Sequence, residues 1–287
     1  VIMITEEKTN LIHSLYSNGT SVSKISKELH ASKRTIRRVL KEAGIKPRDG
    51  FSYARKHHFD EHYFDVIDTE EKAYFLGFIY GDGNNFYKKN RISINLNSVD
   101  KEILEKFSDL ISKEKLVKTY TRSNGKEVSE LVLVSKHLSN HMKTLGIVQR
   151  KSEILTFPEW LDEKLHKHFI RGLIDSDGCV YIKNGKNTSH TVALIATTNI
   201  NTRINDIVRE KLRIEGYFGK ATKQKEDVIN MLYIKGYFKC KVFLDWIYSD
   251  CFIKLERKYS KYLEFIKLYD EYIKENPNYL DRYGILL

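Results

Sequence analysis

The sequence is poor in the residues that build stapled or fibrous folds. It holds three cysteines, Cys179, Cys240 and Cys251, among 287 residues. An odd number without C-x-x-C spacing excludes a disulfide framework and a cysteine-built zinc ribbon. Three prolines and 15 glycines exclude a collagen-like or proline-rich chain. No apolar run approaches the roughly 18 residues that a membrane-spanning helix needs, so no membrane partner is expected. The opening VIMITEEKTN has no basic segment leading into an apolar core, so no secretory signal is expected and the setting is taken as cytoplasmic.

Acidic residues are also under-represented. Lys plus Arg number 49 against 38 Asp plus Glu, for a formal net charge of +11. That excess favours a polyanionic partner. Between residues 21 and 57 there are 11 Lys and Arg against three acids, Glu28, Glu42 and Asp49, so most of the imbalance lies there. What is plentiful is apolar and aromatic side chain, at 41% and 12% of the sequence, enough for a real core.

Residues 5–44 predict three short helices. Ile12, Leu15 and Tyr16 share one face before Gly19. Ser21 can cap SVSKISKELH, with Val22, Ile25 and Leu29 at helical spacing, and Ser32 can cap SKRTIRRVLKEAG, with Ile36, Val39 and Leu40 inward. A turn of two or three residues joins the last two helices, the pattern of a helix-turn-helix whose second helix enters the DNA major groove. Lys33, Arg34, Arg37 and Arg38 lie off its apolar stripe, where they can reach phosphates or guanine edges. An ordinary three-helix bundle with a solvated basic face is the alternative. The stretch resembles small resolvase-like helix-turn-helix modules. Residues 1–46 are therefore expected to be a DNA-binding domain, and 47–69, with Arg48, a basic linker.

The rest of the chain is duplicated. FLGFIYGDG, residues 75–83, aligns without a gap on IRGLIDSDG, residues 170–178, with shared Gly, Ile, Asp and Gly at the third, fifth, eighth and ninth positions. Each is followed by strand-like segments, a helix near Val99 or Asn201, two more strands and a further helix. Each half therefore predicts α-β-β-α-β-β-α, and the fold class is α+β: two pseudo-symmetric lobes, 70–157 and 158–287, behind a small all-α domain. The two motifs resemble the LAGLIDADG signature of homing endonucleases in the two-motif, single-chain form. Motif one departs at its sixth position, where Tyr80 stands opposite Asp175. Lys151 and Lys258 occupy matching places in the halves, with either a phosphate-contacting or a structural role.

On a helix over 72–82, Ala73, Gly77 and Gly81 recur every four residues, and Gly172 and Ser176 repeat the pattern. Two helices can pack closely along such stripes, with Phe78, Ile79, Leu173 and Ile174 buried in their own lobes. That brings Asp82 and Asp177 together at helix C-terminal ends, where the dipole and a second carboxylate both disfavour negative charge. A divalent cation reverses the problem, and the carbonyls of Gly81 and Ser176 can join the acids as ligands. Hard oxygen donors suit Mg²⁺ or Mn²⁺. The natural reaction is phosphodiester hydrolysis.

The resemblance implies a monomeric, site-specific double-strand DNA endonuclease that cuts with a stagger across the minor groove, and a basic residue from the strand ends that organises water at the scissile phosphates. Lys235 is the stronger candidate for that role and Lys136 the weaker. The sheets are expected to offer polar faces to DNA, with Lys88, Arg91, Lys118, Arg122, Lys183, Lys220, Lys223 and Lys225 among their cations. Trp160 and Trp246, with apolar neighbours, are expected in the core, and the ten histidines are not expected to hold zinc. Two other readings share the scaffold: a non-cleaving DNA-binding regulator, and an RNA-splicing maturase.

Overall fold

The structure is a computed structural model that describes residues 5–45, 57–182, 190–221 and 228–283. Arg48, Lys183, Lys223 and Lys225 lie outside the described residues. The chain separates into two compact units that divide after Lys56.

The first unit is the expected trio of helices, α1 (Glu6–Ser17), α2 (Val22–Glu28) and α3 (Lys33–Glu42). Each starts at a hydroxyl that accepts a backbone N–H: Thr5 from Lys8, Ser21 from Lys24 and Ser32 from Thr35. Such caps satisfy donors that the first helical turn leaves unpaired. Ile12, Tyr16, Ile25, Ile36, Val39 and Leu40 form its buried core.

The second unit repeats one topology. Its first half runs α4 (Glu70–Asp82), β1 (Gly83–Phe86), β2 (Arg91–Asn97), α5 (Lys101–Ile111), β3 (Val117–Thr121), β4 (Glu127–Val134) and α6 (Lys136–Thr144). The second runs α7 (His166–Asp177), β5 (Gly178–Tyr181), β6 (Thr191–Thr197), α8 (Thr198–Leu212), β7 (Tyr217–Lys220), β8 (Ile229–Lys235) and α9 (Tyr237–Tyr248). Each half holds a four-stranded antiparallel sheet, in the orders β1-β2-β4-β3 and β5-β6-β8-β7. The second half adds a helix that the repeat did not predict, α10 (Glu256–Glu275).

One apolar core runs through both halves. Helix α4 lies in its middle and is buried on every side from Ala73 to Tyr80. That explains why its sequence is apolar all round rather than striped. Thr69 caps it by accepting from Lys72 N at 3.3 Å, and Glu70 and Glu71 suit the positive end of its dipole.

Two expectations need correction. The described part of the presumed linker, 57–69, is packed on the first lobe: Asp60 N donates to Ile111 O at 2.7 Å, Phe64 is buried, and His57 pairs with Glu114 at 2.9 Å. Phe59, Tyr63, Phe64 and Ile67 give the segment apolar anchors that its basic neighbours mask in a composition reading. Trp160 is 54% exposed and so is not a core residue, whereas Trp246 is partly buried against the core. The apolar residues beside Trp160, Phe157 and Leu161, are the buried ones.

Candidate active site

Helices α4 and α7 cross at closer range than side chains allow. A methyl group on Gly77 would sit 2.1 Å from Phe169 O, and one on Gly172 would sit 2.0 Å from Tyr74 O. The contact is reciprocal, because Gly77 matches Gly172 in the repeat and Tyr74 matches Phe169. Near the helix ends a methyl on Gly81 would meet Ser176 Oγ at 2.1 Å and Asp177 Oδ2 at 3.0 Å. The small-residue stripe therefore brings the two acidic tips to one seam, as the sequence predicts. Across the other end of the crossing the buried Arg171 of α7 donates to Glu70 of α4 at 2.6 Å, and to Ile247 O and Ile253 O at 2.9 Å.

Asp82 and Asp177 are both exposed, the last residue of each helix before the chain turns into β1 or β5. Their side chains point into a concave seam that strips water from them, and this raises both from the usual carboxylate value. Asp82 is pushed up to about 6, by desolvation first and then by the charge of Asp177, against the opposing pull of Lys258 and Lys151. Solvent still reaches the tips, so the seam is a concave surface and not a dry interior.

The two lysines occupy a place that the sequence left open between two roles. Both are buried, at 6% and 5% exposure. Lys151 Nζ donates to Gly81 O at 2.7 Å. Lys258 Nζ lies at 2.6–2.7 Å from Ile174 O, Asp175 O and Gly178 O, and at 3.3 Å from Ser176 O. Each lysine is thus an internal cap on the negative end of a helix. Burial lowers the pKa of both ammoniums, while the nearby acids oppose that shift. The carbonyls of Gly81 and Ser176, expected as metal ligands, already accept these protons.

The sixth motif position has a structural role in each half. Tyr80 OH donates to Leu145 O at 2.8 Å, on the way to Lys151. Asp175, fully buried, accepts from Tyr74 OH at 2.8 Å, Tyr248 OH at 2.5 Å and Leu255 N at 2.8 Å, just before Lys258. Different residue types therefore anchor the segment that delivers the capping lysine. The departure of motif one from the repeat is a substitution of anchor and leaves the acid untouched.

Strand alternation sets what each sheet turns outward. In the first sheet Ile92, Ile94, Leu131 and Leu133 face the core, and Arg91, Ser93, Asn95, Asn97 and Lys118 lie on the opposite, open face. Arg91 is engaged there by Glu130 at 2.6 Å. Lys88 and Arg122 are exposed in the connections beyond the strands. Lys235 is exposed at the end of β8, opposite Thr191. Its register equivalent in the first sheet is Val134, opposite Arg91, while Lys136 lies two residues on, in the first turn of α6. Lys220 pairs with Asn230, on the core-side parity of the second sheet, and not on its open face.

Both open faces mix polar and apolar side chains: on the first sheet Val132 and Val134 share the face of Arg91 and Ser93. Among the described residues, the open face of the second carries Tyr181, Ala193, Ile195, Met231, Tyr233 and Tyr217, together with Thr191 and Lys235. Tyr217 and Tyr233 stack at 4.9 Å, and Tyr233 OH donates to Met231 Sδ. A cleft lined by Asp177, Ile195, Thr197 and Ile229 joins this face to the acidic seam. Alternation of VALIAT predicts a strand but not which of its two apolar faces is covered. On α3, Lys33, Arg34, Arg37 and Arg38 are all exposed, with Arg38 3.7 Å from Glu42. Among the described residues no helix is long and apolar enough to cross a membrane.

No protein-family model matches the sequence. A curated relative, the uncharacterised protein MJ0398 of Methanocaldococcus jannaschii, is 27% identical over 199 residues, which cover 66% of this chain and 64% of that protein. The chain thus spans less than two thirds of that relative's length. Among solved structures, the I-LtrWI LAGLIDADG homing endonuclease bound to target DNA is similar at 14% identity and a TM-score of 0.49, over 73% of this chain and 92% of that one. Full-length DUF199/WhiA from Thermatoga maritima is similar at 17% identity and a TM-score of 0.44, over 76% and 70% of the two chains. The I-SmaMI structure with a DNA target and calcium ions is similar at 12% identity and a TM-score of 0.45, over 75% and 94%.

Proposed function

We propose that the protein is a site-specific double-strand DNA endonuclease of the homing-endonuclease type, acting as a monomer with a divalent metal, Mg²⁺ or Mn²⁺. The observation that carries this reading is the meeting of Asp82 and Asp177 at one seam, on adjoining ends of crossed helices, with an edge strand leading from each acid into a sheet.

The donor set fits a hard cation. Two carboxylates on a concave surface, whose pKa values are raised first by desolvation, match the habit of Mg²⁺, which takes one or two carboxylates and keeps several waters. Gly81 O and Ser176 O each keep a second lone pair beside the lysine contact, so they can join the acids and water as ligands. A bound ion would acidify a water and neutralise charge on the phosphate. The chain's own residues do the rest. The α4–α7 crossing fixes the spacing of the acids, and Lys151 and Lys258 hold the helix ends in place. Lys235, exposed at the strand end, would orient a phosphate or its water. Lys88, Lys118 and Arg122 supply phosphate contacts on the first lobe, and Lys33, Arg34, Arg37 and Arg38 extend the contacted sequence.

Incubation of the protein with a DNA library and Mg²⁺ tests the reading. Sequence-specific breaks are expected, lost in both Asp82→Asn and Asp177→Asn while binding persists. Undiminished cutting by either variant removes the site assignment.

A second reading has its own support. The lysine caps already satisfy the helix ends with no ion, which suits a non-cleaving DNA-binding protein on the same scaffold. Tight, sequence-selective binding without breaks in Mg²⁺ or Mn²⁺ selects it.

A further inference from the structure

Away from the acidic seam, three side chains converge on the first lobe. His62 Nδ1 lies 2.7 Å from Asp65 Oδ2, and His137 Nε2 lies 2.6 Å from Asp65 Oδ1. The two imidazole centroids are 4.1 Å apart. One nitrogen from each ring and one carboxylate oxygen all fall within 4.8 Å of one another. All three residues are exposed, so the cluster is open to exchange with solvent.

We propose that His62, Asp65 and His137 form a transition-metal site of the zinc class, which fastens the segment entering the first lobe to helix α6. The inference is independent of the DNA-cleaving reading, because none of these residues takes part in it. Two imidazoles and a carboxylate are the borderline donors that select Zn²⁺, Co²⁺ or Ni²⁺ over Mg²⁺. Donors of a tetrahedral zinc at about 2.0–2.1 Å lie roughly 3.3 Å apart, so donors that now lie within 4.8 Å of one another have to draw in by no more than roughly 1.5 Å. Water can supply the fourth ligand.

The surroundings hold the donors ready. The His137 ring lies parallel to that of His141, at 4° and 6.3 Å, and His141 Nε2 is 2.9 Å from Phe64 O, between His62 and Asp65 in sequence. Ser135, the cap of α6, donates to Glu61, the neighbour of His62. His62 N donates to Asp60 Oδ1 at 2.9 Å. The two segments are thus already aligned by contacts that do not use the three donor atoms. The His-x₃-His spacings His58/His62 and His137/His141 were the sequence signal for this cluster. Each pair contributes one ligand, so neither spacing taken alone describes the site.

The test uses the full-length chain in excess Mg²⁺, which saturates the acidic seam, with Co²⁺ as the probe and Zn²⁺ as its competitor. The expected result is a visible d–d absorption at one equivalent of Co²⁺, bleached by Zn²⁺, and a melting temperature that Zn²⁺ raises. Asp65→Asn and His137→Gln should each lower Co²⁺ affinity by no less than the roughly 10- to 100-fold that loss of a ligand's hydrogen-bond partner costs. Because the positions are exposed, both variants should melt within a few degrees of the parent when metal is chelated. A parent and variants with the same Co²⁺ affinity, or a parent whose melting Zn²⁺ leaves unmoved, overturns the proposal and leaves a pair of histidine–aspartate ion pairs.

Discussion

At the scale of single residues, the acidic seam is governed by what surrounds each charge. Asp82 has an ordinary value of 3.8 and a folded-state value of about 6. Between these values the folded protein retains a proton that the unfolded chain has released. Metal-free stability therefore falls as pH rises through this window. Urea midpoints measured from pH ~4 to ~7 should show that decline, and Asp82→Asn should flatten it; a midpoint that rises equally steeply in both proteins contradicts the assigned pKa. If the protein cuts DNA as proposed, cutting should rise with pH as the acid ionises. Lys258 is the other informative residue. Replacing it with Met removes a charged donor from several buried carbonyls, and a loss of about 1.5–3 kcal/mol is expected from hydrogen bonds to a charged group. It also removes a charge that pulls Asp82 down, so the Asp82 pKa should climb further, as NMR titration can read. These two lysines were visible in the sequence as a matched pair. Their function was not, because nothing in a sequence distinguishes a buried ammonium from a solvated one.

At the scale of elements, the helix crossing was the most legible part of the molecule. Glycine and serine at every fourth position have one economical explanation, and the backbone distances at Gly77 and Gly172 supply it. Gly77→Ala should force the helices apart, at a cost of at least about 1–3 kcal/mol, and cutting should fall by more than stability alone accounts for. Thermal melts alongside cleavage rates measure both. The sheets were legible as strands, whereas which of their cations share the open face was not, as Lys220 shows. Lysines such as Lys220 and Lys235 are common on any basic protein, and only strand register decides which of them lie on the open face. The second sheet offers Ile195, Ala193, Met231 and tyrosines there, groups that meet thymine methyls better than phosphates. Replacing thymine by deoxyuracil in one half-site at a time should therefore weaken binding in the half that faces the second lobe and spare the other. Equal losses in both halves would argue that the two faces read DNA alike.

At the scale of the whole molecule, the chain combines a separately folded basic helical unit with a two-lobed body sharing one core. The boundary was legible from the shift in composition, but its far side was placed too late, since a few aromatic anchors after His57 outweigh the basic residues around them. Removing residues 1–45 should leave the body folded, because among the described residues its core includes none before Phe59. If α3 contacts DNA, the truncated protein should bind more weakly, and its log affinity should fall less steeply with log salt, by about 0.9 for each phosphate contact given up. An unchanged slope would leave the first unit without a role in binding. The buried lysines have a consequence at this scale too. Since they satisfy the helix ends from within, an ion bound as proposed would be a reagent and not a rivet: chelators should then silence cutting without unfolding the protein, and loss of the acids should leave the architecture sound.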